Sequence, residues 1–127
     1  MSDLELEECL RLILPIVKLD PNKYLIGTKV RQVQIKNDSL LARVGGGFME
    51  MDQMLAQEAK IQCVQILIQM EKKEQTFQET MVEILEQKRA DLSVINRFLR
   101  ETKKVSIPFY ELVSAVRARE KLKLQLS

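Results

Sequence analysis

The chain has 127 residues, of which 46% are hydrophobic and 30% are charged, a balance typical of a folded protein rather than a disordered one. It contains no histidine, the commonest general base and metal ligand of enzymes, so the composition argues against catalysis. The net charge is only +2, and no apolar run reaches the roughly 20 residues that a membrane-spanning helix needs, so we expect no membrane partner.

The chain contains two cysteines, Cys9 and Cys63, and six methionines. There is no obvious signal peptide, and together these features favour a reducing cytoplasmic compartment. The cysteines have neither a Cys-x-x-Cys spacing nor a histidine partner. We therefore expect buried structural thiols, with no catalytic residue, no metal site and no cofactor.

The first predicted element is a short amphipathic helix that ends before Pro15. Ser2 and Glu5 have the spacing of a capping box, and apolar residues then recur three and four positions apart. The apolar run at residues 16–19 leads into a turn sequence, Asp-Pro-Asn, at residues 20–22. This run predicts an edge strand of a sheet.

A β-hairpin is predicted next. Residues 30–36 place β-branched side chains between polar ones, which is typical of a strand. Residues 37–39, Asn-Asp-Ser, tolerate turn geometry. Residues 40–44 alternate again, so they can return antiparallel to the first strand.

Three consecutive glycines, residues 45–47, come after the hairpin and permit backbone conformations that residues with a Cβ resist. A glycine loop before a helix can bind phosphate, but Phe48 comes next, without the Lys, Ser or Thr of a nucleotide site. The glycines instead predict a sharp turn into a helix, with Phe48 in the core beside Tyr24 and Leu55. A third interpretation is that the loop is a close-contact surface for a partner protein.

From residue 50 to about residue 104 the chain has no glycine and no proline, and strong helix formers dominate. We expect one long helix, or two with a small break, with an apolar stripe at coiled-coil spacing. Residues 106–108 break the pattern, and residues 109–126 predict an antiparallel helix that folds back against residues 85–99. The start of the stripe would lack a cover, so we expect another chain to bind it. This candidate partner-helix face consists of Ile61, Val64, Leu67, Met70 and Phe77.

The stretch from Tyr24 to Leu55 resembles the core of the GAR domain, the growth-arrest-specific-two-related module of spectraplakins and related actin and microtubule linkers. In that family a Tyr-x-Val/Ile-Gly opening precedes two strands, the second strand ends in Arg-Val-Gly-Gly-Gly-aromatic, and an amphipathic helix comes next. The matching residues here are Tyr24, Ile26, Gly27, Arg43, Val44, Gly45, Gly46, Gly47, Phe48, Met51 and Leu55. Phe48 stands where the family usually has tryptophan, and the family's zinc-binding cysteines are missing.

The resemblance and the helical pattern together predict an α+β fold: a small antiparallel sheet with flanking helices, then a long helix and an antiparallel C-terminal helix. We expect a GAR-like domain at residues 1–59 and a helical hairpin or coiled-coil arm at residues 60–127. Apolar residues occupy the region where relatives have zinc ligands. We therefore expect that apolar burial replaces the metal, because so small a sheet needs either a metal or a packed helix.

The leading functional hypothesis is a non-enzymatic, microtubule-associated structural protein of the cytoplasmic cytoskeleton. The resemblance implies tubulin as a partner, and a basic hairpin suits the acidic surface of a microtubule. The candidate contact residues are Lys29, Arg31, Lys36, Arg43, Gly45, Gly46, Gly47 and Phe48. The helical arm would bind other cytoskeletal or axonemal proteins, and an elongated shape suits a cilium or basal body.

Two alternatives have other sequence signals. The first is a coiled-coil assembly or adaptor protein without direct microtubule contact, for which the apolar stripe is the evidence. The second is nucleic-acid binding through two basic clusters in the C-terminal half, but aromatics make up only 5% of the chain, and none interleaves with the basic residues. The clusters are Arg97, Arg100, Lys103 and Lys104, and Arg117, Arg119, Lys121 and Lys123.

Overall fold

The computed structural model describes residues 2–103 and 108–126. It confirms the α+β class: a five-stranded antiparallel sheet lies between an N-terminal helix and a series of C-terminal helices. In chain order the elements are α1 (Asp3–Ile13), β1 (Ile16–Asp20), β2 (Lys23–Ile26), β3 (Lys29–Lys36), β4 (Ser39–Val44), β5 (Gly47–Glu50), α2 (Met51–Lys73), α3 (Phe77–Gln87), α4 (Leu92–Lys103) and α5 (Phe109–Leu126).

The N-terminal helix forms as its sequence predicts. The Ser2 hydroxyl caps α1 by accepting a hydrogen bond from the Glu5 backbone N–H at 3.1 Å. The helix ends at Ile13, before Pro15. Its buried side chains are Leu6 and Leu10, and they belong to the same hydrophobic core as the sheet.

The sheet is a meander in which each strand pairs with its neighbour along the chain, in the order β1-β2-β3-β4-β5. The predicted hairpin is β3 and β4, with Val33 opposite Ala42 and Lys36 opposite Ser39. Asn37 and Asp38 both have positive φ, at 52° and 61°, as the preferred two-residue hairpin turn requires. The predicted edge strand is β1.

The glycines do not lead directly into a helix, and this prediction was wrong. Gly45 and Gly46 form a turn, Gly47 begins the fifth strand, and α2 starts only at Met51. Phe48 is consequently a strand residue that is 46% exposed and does not lie in the core. Successive strand residues point to opposite faces, so Met49 packs against the core and Phe48 points away from it.

The prediction of one long helix, or of two with a small break, was also wrong, because the chain breaks twice between residues 51 and 103 and forms three helices. Glu74 ends α2 in the left-handed conformation, with φ of 51°. Thr76 then starts α3 through a capping box with Glu79. Arg89, with φ of 60°, lies in the second break, between α3 and α4.

The last helix packs mainly against α1 and α2, which differs from the predicted packing against residues 85–99. It begins at Phe109, directly after Pro108, and the rest of the predicted break at residues 106–108 lies outside the described residues. Phe109 is 1% exposed and stacks on Phe77, with ring centroids 4.6 Å apart. The α5 helix thereby supplies part of the cover that was expected from a second chain.

The predicted partner-helix face is therefore mostly internal. Leu67 and Met70 are buried, and Val64 and Phe77 are partly buried against the core. Ile61 alone of the five is exposed, at 54%. The four packed residues are not available to another chain in this fold.

One hydrophobic core includes residues from both predicted domains, and the proposed boundary at residues 59 and 60 falls inside α2. The division into a GAR-like domain at residues 1–59 and a helical arm at residues 60–127 stays a prediction. Among residues 2–103 and 108–126, no helix combines the length and the apolar character needed to cross a bilayer.

Candidate functional site

The sheet has one buried and one open face at β3, β4 and β5. Residues paired across neighbouring strands point to the same face. Val33, Ala42 and Met49 form one such row and belong to the core. The opposite side carries exposed polar residues, the exposed Phe48 and the partly exposed Leu41, and we call it the outer sheet face. It consists of Gln34, Lys36, Leu41, Arg43, Phe48 and Glu50.

Arg43 and Phe48 form the centre of the outer sheet face. They are directly opposite each other on β4 and β5, and the Arg43 guanidinium carbon lies 5.9 Å from the centroid of the Phe48 ring. This geometry is a cation–π contact, and a cross-strand neighbour keeps both groups in place. Arginine and aromatic side chains are both enriched in protein interfaces.

The glycine turn next to this pair is bare backbone. Gly45 has φ of +62°, which favours glycine, but neither Gly46 nor Gly47 has a positive φ. A Cβ added at Gly46 or Gly47 would meet no atom within 4 Å. Neither conformation nor packing within the chain requires glycine at these two positions. Their absence of side chains does allow another molecule to approach the backbone closely.

Arg31, a predicted contact residue, belongs to the other side of the sheet. It forms an ion pair with Glu58 of α2, and the two side chains are only 15% and 19% exposed. The Arg31 guanidinium also donates a hydrogen bond to the Arg43 backbone oxygen at 3.5 Å. Arg31 therefore links β3 to α2 through the ion pair and to β4 through the hydrogen bond.

We expect Arg31→Ala to lower the free energy of unfolding by about 1–3 kcal/mol, because it leaves the half-buried Glu58 carboxylate without its partner. The double variant Arg31→Met/Glu58→Leu, which removes both charges, should lie closer to wild type than Arg31→Ala. Urea unfolding followed by circular dichroism measures both. If the double variant were less stable than Arg31→Ala, the attraction between Arg31 and Glu58 would be the main contribution to stability, and the unpaired Glu58 carboxylate would not explain the loss.

The other two predicted basic residues lie at the ends of β3. Lys36 is exposed and belongs to the outer sheet face. Lys29 is exposed as well, but the alternation along β3 puts it on the side of Arg31. The structure thus brings together Lys36, Arg43, Phe48 and the glycine turn, and it separates Lys29 and Arg31 from them.

Ion pairs divide the basic residues into two groups. Several bases on the helices have carboxylate partners: Arg117 pairs with Glu71 at 2.5 Å, and Lys60 pairs with Glu120 at 2.7 Å. On the strands, Arg31 is the exception. The remaining strand bases form no ion pair with any carboxylate of the described residues, and they are Lys18, Lys23, Lys29, Lys36 and Arg43. The sheet therefore carries positive charge that the protein does not neutralise.

The residues present do not fit the zinc site of GAR domains. Cys63 is fully buried, its thiol lies 3.8 Å from the Leu10 carbonyl oxygen, and burial raises its pKa to about 12. Zinc binds the thiolate and takes four ligands, whereas Cys63 is a protonated thiol in an apolar setting. In the part of the chain that the structure describes, no three Cys, Asp or Glu residues are grouped to hold a metal. Leu6, Leu10 and Leu14 of the N-terminal region are buried in the core instead.

Some residues of the outer sheet face were not expected from the sequence. Gln34, Leu41 and Glu50 are neighbours of the Arg43–Phe48 pair on β3, β4 and β5. The alternation along the predicted hairpin could have identified Gln34 and Leu41, and it also separates Arg31 from Lys36. Glu50 could not be found in this way, because β5 itself was not predicted.

Comparison with known proteins identifies one family. Residues 5–63 match the model of the Growth-Arrest-Specific Protein 2 Domain. The match is longer than the stretch that carries the resemblance, and it takes in α1, β1 and the first half of α2. A search of curated proteins and a search of solved structures each gave no match to the chain.

Proposed function

Residues 5–63 form a GAR domain, and on that premise we propose that this protein is a non-enzymatic structural protein that binds microtubules through its outer sheet face. The single observation that carries the proposal is the exposed Arg43–Phe48 pair beside the bare glycine turn. These residues belong to the family's signature, Phe48 is 46% exposed and does not lie in the core, and packing within the chain does not require glycine at residues 46 and 47.

Electrostatics supports the same surface. Tubulin presents an acidic surface, and the unpaired strand bases give the sheet a positive field that would steer the protein towards it. Arg43 and Lys36 would make direct contacts, while the glycine turn would let the two backbones approach closely. Exposed ion pairs contribute little individually, so the Phe48 ring and the close approach are needed for tight docking.

A role without catalysis agrees with the rest of the chain. There is no histidine, and the Cys63 thiol is buried and protonated near neutral pH. Several carboxylates have structural tasks: Glu71 pairs with Arg117, and Glu79 caps α3, and these contacts lower the pKa of both groups. We propose a cytoskeletal location. The argument for a cilium or basal body depended on an elongated arm, and the packing of α5 on α1 and α2 removes that argument.

The adaptor alternative loses most of its evidence in this fold. It required an uncovered coiled-coil stripe, whereas Leu67 and Met70 are buried and Phe77 stacks on Phe109. Other cytoskeletal partners would have to bind a surface different from the predicted partner-helix face.

We expect the double variant Lys36→Glu/Arg43→Glu to weaken microtubule binding about tenfold at low salt, because it replaces two contact cations with anions. Co-sedimentation with stabilised microtubules measures the dissociation constant. The matched control is Lys72→Glu/Lys88→Glu, which changes the net charge equally at two exposed positions, one in α2 and one just after α3, that form no ion pair among the described residues.

A steric variant tests the glycine turn without changing the charge. Gly46→Leu should fold normally, because its Cβ would enter open space, yet it should weaken binding by blocking the approach of tubulin. Failure of the wild-type protein to pellet with microtubules would overturn the proposal. So would equal losses in the Lys36/Arg43 and Lys72/Lys88 variants, since binding would then depend on total charge and not on this surface.

A further inference from the structure

A second exposed surface lies at the opposite edge of the sheet, where α4 runs beside β1. Arg97 of α4 donates a hydrogen bond to the Lys18 backbone oxygen at 3.1 Å. One depression between the two elements is lined by Ile16, Val17, Lys18, Tyr24, Arg97, Phe98 and Glu101. A second depression is lined by Arg97, Arg100, Glu101 and Lys103. The two are adjacent, because both are lined by Arg97 and Glu101, and we call the surface that they form together the basic groove.

The charge of the basic groove is not neutralised within the protein. Its bases are Lys18, Arg97, Arg100 and Lys103, and Glu101 is its one carboxylate. Across residues 2–103 and 108–126, none of these four bases forms an ion pair. An excess of exposed positive charge along a groove attracts a ligand of the opposite charge.

The two basic clusters of the C-terminal half therefore have different roles. In the α5 cluster, Arg117 pairs with Glu71, and Arg119 and Lys123 both pair with Asp3 of α1. That cluster holds helices together. In the α4 cluster, Arg97 contacts only a backbone oxygen, and Arg100 and Lys103 have no carboxylate partner within the described chain. Lys104, the fourth member of the α4 cluster, lies outside the described residues, and the other three are available to bind another molecule.

The floor of the basic groove is formed by buried core residues. Val17 is 6% exposed and Phe98 is 7% exposed, and both belong to the core. Val94 and Ile95 anchor α4 on the same core. The bases project from the exposed side of α4 at intervals of three residues, so they are spread over about 9 Å from Arg97 to Lys103. Such a row matches a few residues of an extended chain, whose successive residues are roughly 3.3 Å apart.

We propose that the basic groove docks an extended, glutamate-rich peptide segment of a partner protein. The carboxylates of such a segment would meet Lys18, Arg100 and Lys103, while its backbone would follow the line of β1. Nucleic acid fits the groove less well, because Tyr24 is its only partly exposed aromatic residue and stacking on exposed rings is what holds single strands. This surface is separate from the outer sheet face, since β1 and β5 are at opposite edges of the sheet.

Fluorescence anisotropy with a labelled oligoglutamate peptide and the full-length chain tests the proposal. We expect saturable binding at low salt that weakens as salt is added, because exposed charges are screened over roughly 10 Å at 0.1 M salt. An oligoglutamine peptide of the same length should not bind. Arg100→Glu/Lys103→Glu should weaken oligoglutamate binding about tenfold, because two attractive contacts become repulsive.

The matched control is Lys72→Glu/Lys88→Glu, which has the same net charge but changes neither the basic groove nor the outer sheet face, and it should bind the peptide as the wild type does. If the charge-reversed α4 variant fails to fold, Arg100→Gln/Lys103→Gln should give a smaller but measurable loss. The proposal is overturned if wild type does not bind oligoglutamate, if both double reversals lose binding equally, or if a labelled single-stranded DNA binds more tightly than the peptide. The two surfaces are tested with separate variants and separate ligands. Absence of peptide binding would therefore not contradict the microtubule proposal, and absence of microtubule binding would not contradict the peptide proposal.

Discussion

Replacing Phe109 with alanine should lower the free energy of unfolding by about 3–5 kcal/mol, the range for deleting a fully buried aromatic side chain. Phe109 is 1% exposed, and its ring stacks on Phe77 at a centroid distance of 4.6 Å. Phe77 in turn lies 6.4 Å from Phe98 of α4. The substitution would open a cavity at the point where α3, α4 and α5 meet, and it would loosen the cover of the apolar stripe.

Urea unfolding followed by circular dichroism measures this loss. Tyr110→Ala is the matched control, because Tyr110 is the next residue on the same helix but is 48% exposed. We expect the control to cost less than about 1 kcal/mol, as is usual for surface substitutions. Equal effects of Phe109→Ala and Tyr110→Ala would contradict the packing of α5 against the rest of the chain.

Replacing Gly27 with alanine should destabilise the protein by about 3 kcal/mol, for two separate reasons. Gly27 has φ of +63°, which costs an L-residue roughly 1–2 kcal/mol. A Cβ at this position would also lie 2.6 Å from the Cβ of Gln62, so α2 or the β2–β3 turn would have to move. The contacts at risk are hydrogen bonds that the Gln62 side-chain oxygen accepts from the Thr28 N–H at 2.8 Å and the Thr28 hydroxyl at 2.5 Å.

Gly47→Ala is the control for this experiment. A Cβ at Gly47 would meet nothing within 4 Å, and its φ is not positive, so the variant should be as stable as wild type or slightly more stable. Thermal and urea unfolding of the two variants give the comparison. If Gly27→Ala unfolds at the wild-type denaturant concentration, the close contact between the β2–β3 turn and α2 is wrong.

The hairpin and the family were predictable because the relevant signals are local. Asn37 and Asp38 are residues that accept positive φ, and they separate two alternating segments, so the turn and both strands can be read from a short stretch. The signature from Arg43 to Phe48 is also contiguous. The glycine turn misled the prediction of the next element, since a glycine run permits a second hairpin as readily as a helix start.

The two breaks between α2 and α4 were harder to predict, because neither contains glycine or proline. Glu74 takes the left-handed conformation that glycine usually supplies at a helix end. The restart at Thr76 did have a signal, since Thr76 and Glu79 have capping-box spacing before an apolar helical face. The stacking of Phe109 on Phe77 is a long-range contact, and it depends on the directions that the helices take after those breaks.

The candidate contact residues were predicted by charge, and charge alone did not distinguish the two faces of the sheet. Arg31 and Arg43 are equally basic in the sequence, but Arg31 pairs with Glu58 and Arg43 is exposed beside Phe48. Counting alternate residues along β3 separates Arg31 from Lys36. Residue spacing could not show that the α5 bases form ion pairs, because their carboxylate partners belong to α1 and α2, which are distant in the sequence.

The central claim is that the GAR domain meets tubulin with the outer sheet face, and a cryo-EM reconstruction of microtubules decorated with the full-length protein tests it most directly. The account predicts that the turn from Gly45 to Phe48 lies against tubulin, with Arg43 and Lys36 in the contact and α3 facing away. A reconstruction in which the β4 and β5 strands face solvent while the protein is bound through its helices would contradict it.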